Sequence, residues 1–172
     1  MERSNQQTTP VVGPRVRYMI RRDLPEVLAI EAMAFEFPWS EWDFVCCLRQ
    51  RNSIGMVVEW NDRVIGFMIY ALEKNRIDLL NLAMAPDALR EGVGSALLAK
   101  LKAKLSEKHR DRITCHVRER NAAAQVFFRE NGFHLAEVVR KLYEDTEEDA
   151  YRMEFVLPST LNLRPSTLDP NP

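Results

Sequence analysis

One segment, from Ile77 to Lys108, constrains the fold of this chain more strongly than any other part of the sequence. A strand-like run, Ile77 to Met84, leads into a turn that contains Gly92, and a helical pattern then extends from Gly94 to Lys108. The apolar face of that predicted helix consists of Leu97, Leu98, Leu101 and Leu105. A strand that passes through a glycine turn into an amphipathic helix predicts a sheet with helices packed on its faces.

Shorter patterns on both sides of this segment supply the remaining elements. Apolar patterns predict strands over Arg15–Arg21, Met56–Trp60, Val64–Leu72, Ile113–Val117, Phe133–Tyr143 and Ala150–Leu157. Capping signals predict helices over Asp23–Phe35, Ser40–Gln50 and Asn121–Glu130, and a tight hairpin turn is expected at Asn61-Asp62. The order β-α-α-β-β-β-α-β-α-β-β indicates the α/β (α+β) class, although several folds share this order.

Length and composition indicate one domain. The chain has 172 residues, of which 46% are hydrophobic, and this is enough to bury one core. We expect a disordered leader over residues 1–14, a single domain over residues 15–157 and a disordered tail over residues 158–172.

Charge and apolar patterning argue against several function classes. The formal net charge is -1 and the pI is about 6.3, so overall charge gives no reason to expect nucleic acid as a partner. No apolar run approaches the roughly 20 residues of a membrane-spanning helix, so no membrane partner is expected. The polar start does not resemble a signal peptide, which favours a cytoplasmic location. The cysteines Cys46, Cys47 and Cys115 lack the spacing of a zinc site, so no metal is expected.

The glycine turn after Met84 has the features of an anion site. The first turn of a helix presents backbone amides without intrahelical acceptors, and the helix dipole favours negative charge there. Gly92 and Gly94 lack side chains, so the backbone can approach a phosphate closely. The alternative is that both glycines only form a tight turn. The segment has neither the Gly-Lys-Ser/Thr of a P-loop nor the third glycine of a dinucleotide-binding fingerprint.

The run Arg90-Glu91-Gly92-Val93-Gly94-Ser95 resembles the coenzyme loop of the GNAT superfamily of N-acetyltransferases. That family has Gln/Arg-x-x-Gly-x-Gly/Ala between its fourth strand and third helix, and the loop amides hold the pyrophosphate of acetyl-CoA. Leu89 stands where the family usually has Gln or Arg, and Arg90 follows it. The resemblance implies acetyl-CoA as co-substrate, bound at Arg90, Glu91, Gly92, Val93, Gly94 and Ser95.

Further segments resemble the branch of this superfamily that acetylates protein N-termini, which includes ribosomal-protein-alanine N-acetyltransferases. They are Ala34–Glu41, Val117–Ala124, Glu130–Phe133, Arg140–Tyr143 and Glu148–Ala150. The resemblance covers roughly residues 15–157. It implies a GNAT fold with a mixed central sheet of about seven strands flanked by four helices. It also implies a protein or peptide N-terminus as acceptor, with a ribosomal protein as one candidate.

The resemblance also assigns binding residues, each with a plainer alternative. The wall of the peptide pocket would be Phe37, Pro38 and Trp39, which could equally be a helix break and a core anchor. Asn121 would bind the pantetheine arm, although it is also suited to capping a helix. The strand backbone that pairs with pantetheine would be Leu82, Ala83 and Met84, a stretch that otherwise reads as a core strand.

His116 occupies the position of the general base in the resemblance. The bacterial ribosomal branch usually has Glu there, and another N-terminal acetyltransferase branch has His. The pKa of histidine, near 6.5, suits proton abstraction at neutral pH, whereas the alternative is a buried structural histidine. Deprotonating an α-amine with a pKa near 8 costs about 1.4 kcal/mol at pH 7, against roughly 4.6 kcal/mol for a lysine, which favours an α-amine substrate.

Phe128 is the main departure from the family pattern. The family usually has Tyr here as the acid that protonates the leaving thiolate, and Phe128 would only contact the coenzyme. Water or Tyr143 would have to serve as the acid; Tyr143 also matches a substrate-binding tyrosine, or it is a plain exposed hairpin residue.

Three hypotheses for the function follow. The first is an active N-terminal acetyltransferase, and the second is an acetyl-CoA-binding protein with little catalysis, which Phe128 favours. The third is acetylation of a small amine or polyamine in an acidic pocket formed by Glu144 to Asp149, a run that otherwise reads as a solvated loop.

Overall fold

The computed structural model describes residues 13–143 and 146–158. Apart from Gly13, Pro14 and Pro158, the predicted leader and tail lie outside these ranges, as do Glu144 and Asp145 of the acidic run. The described elements are β1 (Arg15–Tyr18), α1 (Leu24–Ala34), α2 (Glu41–Leu48), β2 (Ser53–Trp60), β3 (Arg63–Leu72), β4 (Ile77–Met84), α3 (Val93–Lys102), β5 (Arg112–Arg118), α4 (Ala122–Glu130), β6 (His134–Tyr143) and β7 (Glu148–Val156). Short 3-10 turns lie at Arg21–Asp23 and Pro86–Ala88.

The strands form one sheet of seven in the order β1-β2-β3-β4-β5-β7-β6. Every neighbouring pair is antiparallel except β4 and β5, which run parallel and are connected through α3. The sequence prediction of the α/β (α+β) class, with seven strands and four helices, is therefore confirmed for the described part of the chain. The single parallel pair places a crossover helix next to the middle of the sheet.

The hairpin between β2 and β3 has the tight turn that the sequence predicts. Asn61 has φ 50° and Asp62 has φ 58°, so both residues adopt the left-handed conformation. Two successive left-handed residues match the right-handed twist of the flanking strands. Asparagine and aspartate tolerate this conformation better than other non-glycine residues, which explains the choice of residues.

The long helix is shorter than predicted. The prediction extended it to Lys108, but α3 ends at Lys102, and bonds from Lys104 N to Leu101 O and from Leu105 N to Lys102 O replace the helical pattern. Ser106 then pairs with Arg110 in an isolated bridge. Leu105 still packs against the core, although it lies beyond the end of the helix. Its apolar character therefore reflects this packing and does not indicate helical structure.

Gly94 lies at a close contact between α3, β4 and α4. A Cβ at this buried position would lie 2.8 Å from Met84 Cε and 3.0 Å from Phe127 Cζ. A Cβ added at Gly92, by contrast, would meet no atom within 4 Å, but Gly92 adopts φ 79° as the residue that caps α3. The two glycines therefore meet different needs: Gly92 supplies a left-handed backbone and Gly94 supplies space.

We predict that Gly94→Ala lowers the free energy of unfolding by about 1–3 kcal/mol, because the added methyl overpacks the contact with Met84 and Phe127. Denaturant unfolding of the purified protein measures the change. Ser95→Ala, at the exposed neighbouring position, is the control and should be close to wild type. Equal stability of Gly94→Ala and the control would show that the helix shifts without cost.

Candidate active site

The site begins where β4 and β5 separate. Their parallel pairing extends only from Ile77 opposite Ile113 to Leu79 opposite Cys115. Both strands continue, β4 to Met84 and β5 to Arg118, without pairing to one another. The backbone groups of β4 that face β5 beyond Leu79 thus have no strand partner among the described residues, and an extended ligand with amide groups can bind to them.

A cavity of about 350 Å³ lies at this separation. Its lining includes residues from α1, the loop before α2, β4, β5, α4 and the end of β6. The predicted site residues that line it are Phe37, Trp39, Leu82, His116, Asn121, Phe128 and Tyr143. Those that do not are Pro38, Ala83, Met84 and the loop residues Arg90, Glu91, Gly92, Val93, Gly94 and Ser95. The structure therefore brings the predicted acceptor and reaction residues together and puts the predicted phosphate loop outside this cavity.

The predicted phosphate loop lies at the C-terminal end of β4, beyond the 3-10 turn at Pro86–Ala88. Arg90 has φ 65° and Gly92 has φ 79°, so the chain reverses sharply before α3. The first turn of α3 contains no acidic side chain, and Gly92 provides no side-chain cap for its amides. These features suit an anion, because first-turn amides are donors without an intrahelical acceptor.

His116 lies on the exposed face of β5 and lines the cavity. The pKa of His116 lies below its ordinary value, chiefly because of partial desolvation and next because of the positive charge of Arg152. Both effects favour the neutral imidazole, which has a nitrogen lone pair that can accept a proton. The alternative of a fully buried structural histidine is wrong for this position.

Cys115, the neighbour of His116, is an unsuitable nucleophile. It is buried on the opposite face of β5, and burial raises the pKa of its thiol far above the ordinary value. Attack by sulfur requires the thiolate, which this environment disfavours strongly. Cys115 therefore lines the cavity without offering a reactive thiolate.

Helix α4 contributes Asn121 and Phe128. Asn121 caps the helix, since its Oδ1 accepts a hydrogen bond of 3.0 Å from the amide of Ala124. It lines the cavity as well, so the capping role is confirmed without excluding a second contact. Phe128 packs edge-on against Phe127 and Phe133, with ring centroids 5.3 and 5.1 Å away, and its ring supplies no proton.

The loop between α1 and α2 forms one wall of the cavity. Trp39 packs edge-on against Phe44, with ring centroids 5.4 Å apart, so it anchors the loop to the core. Phe37 is 41% exposed and lines the cavity. Both interpretations of this segment therefore apply: Trp39 anchors the loop to the core and also lines the cavity, whereas Phe37 is an exposed aromatic residue of the cavity wall.

Arg118 joins that wall to the opposite one. Its guanidinium carbon lies 4.7 Å from the ring centroid of Phe37 and 3.8 Å from that of Tyr143, at the end of β6. Arg118 Nη1 also lies 3.3 Å from Glu148 Oε2, a mostly buried carboxylate on β7. Tyr143 is therefore a half-buried cavity residue, and its interpretation as an exposed hairpin tyrosine is wrong.

Sequence reasoning missed Glu31 and Asn81, which meet at the floor of the cavity. Glu31, on α1, is only 1% exposed; its carboxylate accepts hydrogen bonds from Trp39 N at 2.8 Å and Asn81 Nδ2 at 3.1 Å. Burial raises the pKa of Glu31, and the two hydrogen bonds partly offset that rise. Asn81 Oδ1 is buried and has no partner among the described residues, which leaves an acceptor atom available to a ligand or water.

The described part of the acidic run, residues 146–149, does not line the pocket for cationic amines that the sequence suggested. Its described carboxylates bind the protein's own cations: Glu147 contacts Lys141, Glu148 contacts Arg118, and Asp149 contacts Arg140. None of the three lines the cavity. The alternative of a solvated loop is also incomplete, because β7 already begins at Glu148 and that side chain is buried.

Two features are absent from the described residues. No helix in residues 13–143 and 146–158 has the length and apolarity needed to cross a membrane. The same residues contain no group of three or more potential metal ligands.

Comparisons with known proteins agree with this geometry. Residues 15–133 match the acetyltransferase (GNAT) family. The chain is 34% identical over 133 residues to the ribosomal protein bS18-alanine N-acetyltransferase of Escherichia coli K12, covering 76% of this chain and 89% of that protein. It is 26% identical over 152 residues to the N-alpha-acetyltransferase of Sulfurisphaera tokodaii, covering 81% of this chain and 90% of that protein.

The fold comparison gives the same result. The crystal structure of the ribosomal-protein-S18-alanine N-acetyltransferase from Escherichia coli matches with a TM-score of 0.75 at 28% identity, covering 91% of this chain and 99% of that chain. The family match spans more than half of the sequence and includes β4, the glycine loop, β5 and α4. From the sequence, the fold and the site together, the chain belongs to the acetyltransferase (GNAT) family and is an N-acetyltransferase.

Proposed function

We propose that this enzyme transfers an acetyl group from acetyl-CoA to the N-terminal α-amine of a protein, with His116 as general base. The observation that carries the proposal is the separation of β4 from β5, which opens a cavity containing His116 and Asn121 beside an unpaired strand backbone. The first-turn amides of α3 follow at the end of the same strand. The open strand backbone, the cavity and the helix N-terminus thus lie in the spatial order that binding of a long coenzyme requires.

The donor side of the proposal uses backbone groups. The β4 backbone at Leu82, Ala83 and Met84 would pair with the amides of the pantetheine arm, and Asn121 would bind the arm from α4. The amides from Arg90 to Ser95 would hold the pyrophosphate. Gly92 supports this role because its left-handed backbone directs the chain into α3 without a side chain at the turn.

The acceptor side would use the aromatic walls and the neutral base. Phe37 and Tyr143 would contact the first residues of the acceptor, with Pro38 and Trp39 shaping the loop behind them. The amine must lose a proton before it attacks, and His116 would take that proton. Deprotonating an α-amine costs less free energy than deprotonating a lysine. An α-amine is therefore the better substrate for a single histidine base.

The reaction would proceed in one transfer. Once His116 has taken the proton of the ammonium form, the free amine nitrogen forms a bond to the thioester carbonyl carbon, and the carbon–sulfur bond breaks to release the thiolate of coenzyme A. The nitrogen loses a second proton as it becomes an amide, and this proton reaches the thiolate through water or Tyr143. Phe128 occupies the position where a tyrosine would donate that proton, and a thiol pKa near 8.5 makes the thiolate a fair leaving group without such help.

The acceptor class is supported by named relatives. The relative from Escherichia coli carries the name of an enzyme that acetylates alanine of ribosomal protein bS18, and the relative from Sulfurisphaera tokodaii is named an N-alpha-acetyltransferase. A protein N-terminus, including that of a ribosomal protein, is therefore the acceptor we propose. Small amines are less well supported, since the described carboxylates of the acidic run pair with Lys141, Arg118 and Arg140 and do not line the cavity.

A second candidate is an acetyl-CoA-binding protein with little catalysis. The observation that favours it is Phe128, which lines the cavity with an apolar ring. In this candidate function, acetyl-CoA would bind as in the first proposal, but the proton transfers needed for efficient catalysis would be missing.

His116→Ala should lower kcat about tenfold or more, because the amine then has no general base. Thermal stabilisation by coenzyme A should be unchanged, since the donor side does not involve His116. His134→Ala, at an exposed histidine on β6, is the matched control and should retain wild-type kcat. An unchanged kcat in His116→Ala would remove His116 as the base.

Phe128→Tyr should raise kcat about tenfold or more, because it supplies an acid for the departing thiolate. Phe127→Tyr, the adjacent ring on the same helix and outside the cavity lining, is the control. Turnover by Phe128→Tyr, combined with coenzyme binding but no turnover by wild type, would establish the second candidate. A folded Phe128→Tyr with no gain over the control would show that thiolate protonation does not limit the rate.

A panel of acceptors should separate the substrate classes. Peptides with a free α-amine should become acetylated at that amine, as measured by fragment masses. The same peptides with a blocked N-terminus and a free lysine, and polyamines, should react at least about tenfold more slowly, in line with the higher cost of deprotonation. Preferential acetylation of the polyamines would contradict the proposed acceptor.

A further inference from the structure

Three charged or titratable side chains form a row across the strands beside the site. His116 on β5 lies directly opposite Arg152 on β7, and Arg152 lies opposite Glu137 on β6. Residues directly opposite each other in antiparallel strands point to the same face, with Cβ atoms about 4.5–5.5 Å apart. The row therefore runs from the cavity to the edge of the sheet.

Arg152 is held in this row by carboxylates. Its Nε donates a hydrogen bond of 3.0 Å to Glu137 Oε2, and its Nη1 lies 4.0 Å from Glu154 Oε1. Its side chain is 31% exposed, so solvent screens its charge only in part. A fixed, partly buried guanidinium beside an imidazole disfavours the imidazolium form.

The other charged residues that act on His116 or line its cavity are engaged with partners. On the β4 side, Asp78 is bonded to Arg76 at 2.6 Å and accepts a bond from Thr114. On β5 itself, Arg118 contacts Glu148.

From α1, Glu31 is bonded to Trp39 and Asn81. Among the charges that affect the pKa of His116, Arg152 has the largest effect and lowers it, whereas Asp78 and Glu137 raise it and Arg76 lowers it.

We propose that Arg152 and Glu137 are positioning residues that set the protonation of His116: Arg152 keeps the imidazole neutral, and Glu137 limits that effect by pairing with Arg152. The inference rests on the proposed function, in which neutral His116 takes a proton from the acceptor amine. Because Arg152 also repels an ammonium group, the same charge favours loss of the proton from the bound acceptor amine.

Two charge-removing substitutions test the proposal in opposite directions. Arg152→Gln removes the positive neighbour and frees the negative charge of Glu137, so the pKa of His116 should rise. Glu137→Gln removes the negative partner of Arg152, so the pKa of His116 should fall. Arg140→Gln, which removes another ion-paired arginine from β6, is the control and should leave His116 unchanged.

The titration is measured by NMR on full-length protein with isotope-labelled histidines, in the absence of substrates. The chain has 3 histidines, and His116→Ala assigns the signal. The acid limb of the pH profile of kcat/KM with a peptide acceptor is then measured, since it reports the base of the free enzyme. It should move to higher pH in Arg152→Gln and to lower pH in Glu137→Gln.

The outcomes separate this inference from the proposed function. Opposite shifts in both the NMR titration and the acid limb support the inference. No NMR shift, or a shift in one common direction, overturns it. Opposite NMR shifts with an unmoved acid limb would retain the charge coupling but remove His116 as the base, which would overturn the role proposed for His116 rather than the row itself.

Discussion

The site depends on the point at which β4 and β5 stop pairing. Three residue pairs, ending with Leu79 opposite Cys115, hold the two strands together. Had the pairing continued, the backbone of β4 would be fully satisfied and the cavity would be closed. Because this pairing stops, β4 is paired with β3 along one edge and leaves its other edge open for a ligand. The opening is stabilised from behind by the packing of Gly94 against Met84 and Phe127, which brings α3 close to the sheet.

Around this opening, two mostly buried carboxylates are hydrogen-bonded within the protein. Glu31 holds the backbone of Trp39 and the side chain of Asn81, which connects the α1–α2 loop to β4. Glu148 forms an ion pair with the guanidinium of Arg118 and accepts a hydrogen bond of 2.8 Å from the backbone amide of Arg120. These pairs fix the walls, because a mostly buried carboxylate is costly unless it is hydrogen-bonded. His116 differs from them, since the role of general base proposed for it requires a neutral and accessible imidazole.

The sequence was informative where local patterns decide structure. The order of elements, the Asn61-Asp62 turn and the cap at Asn121 follow from short-range preferences and were confirmed. The predicted end of α3 was wrong. Leu105 continues the apolar spacing of the helix, but the helix stops at Lys102. The contacts that shape the site could not be predicted from the sequence for a different reason. Glu31 and Asn81 lie 50 residues apart, so no local pattern links them, and their only signal was a polar residue within each apolar segment.

The position of Arg118 has a consequence for how recognition can evolve. One guanidinium lies against the ring of Phe37 on one wall and the ring of Tyr143 on the other. The two walls are therefore not independent: replacing either ring changes the support of the arginine and, through it, the opposite wall. If the acceptor binds between these walls as proposed, a variant for bulkier acceptors would need changes on both sides, because a substitution on one side alone removes part of the support of Arg118.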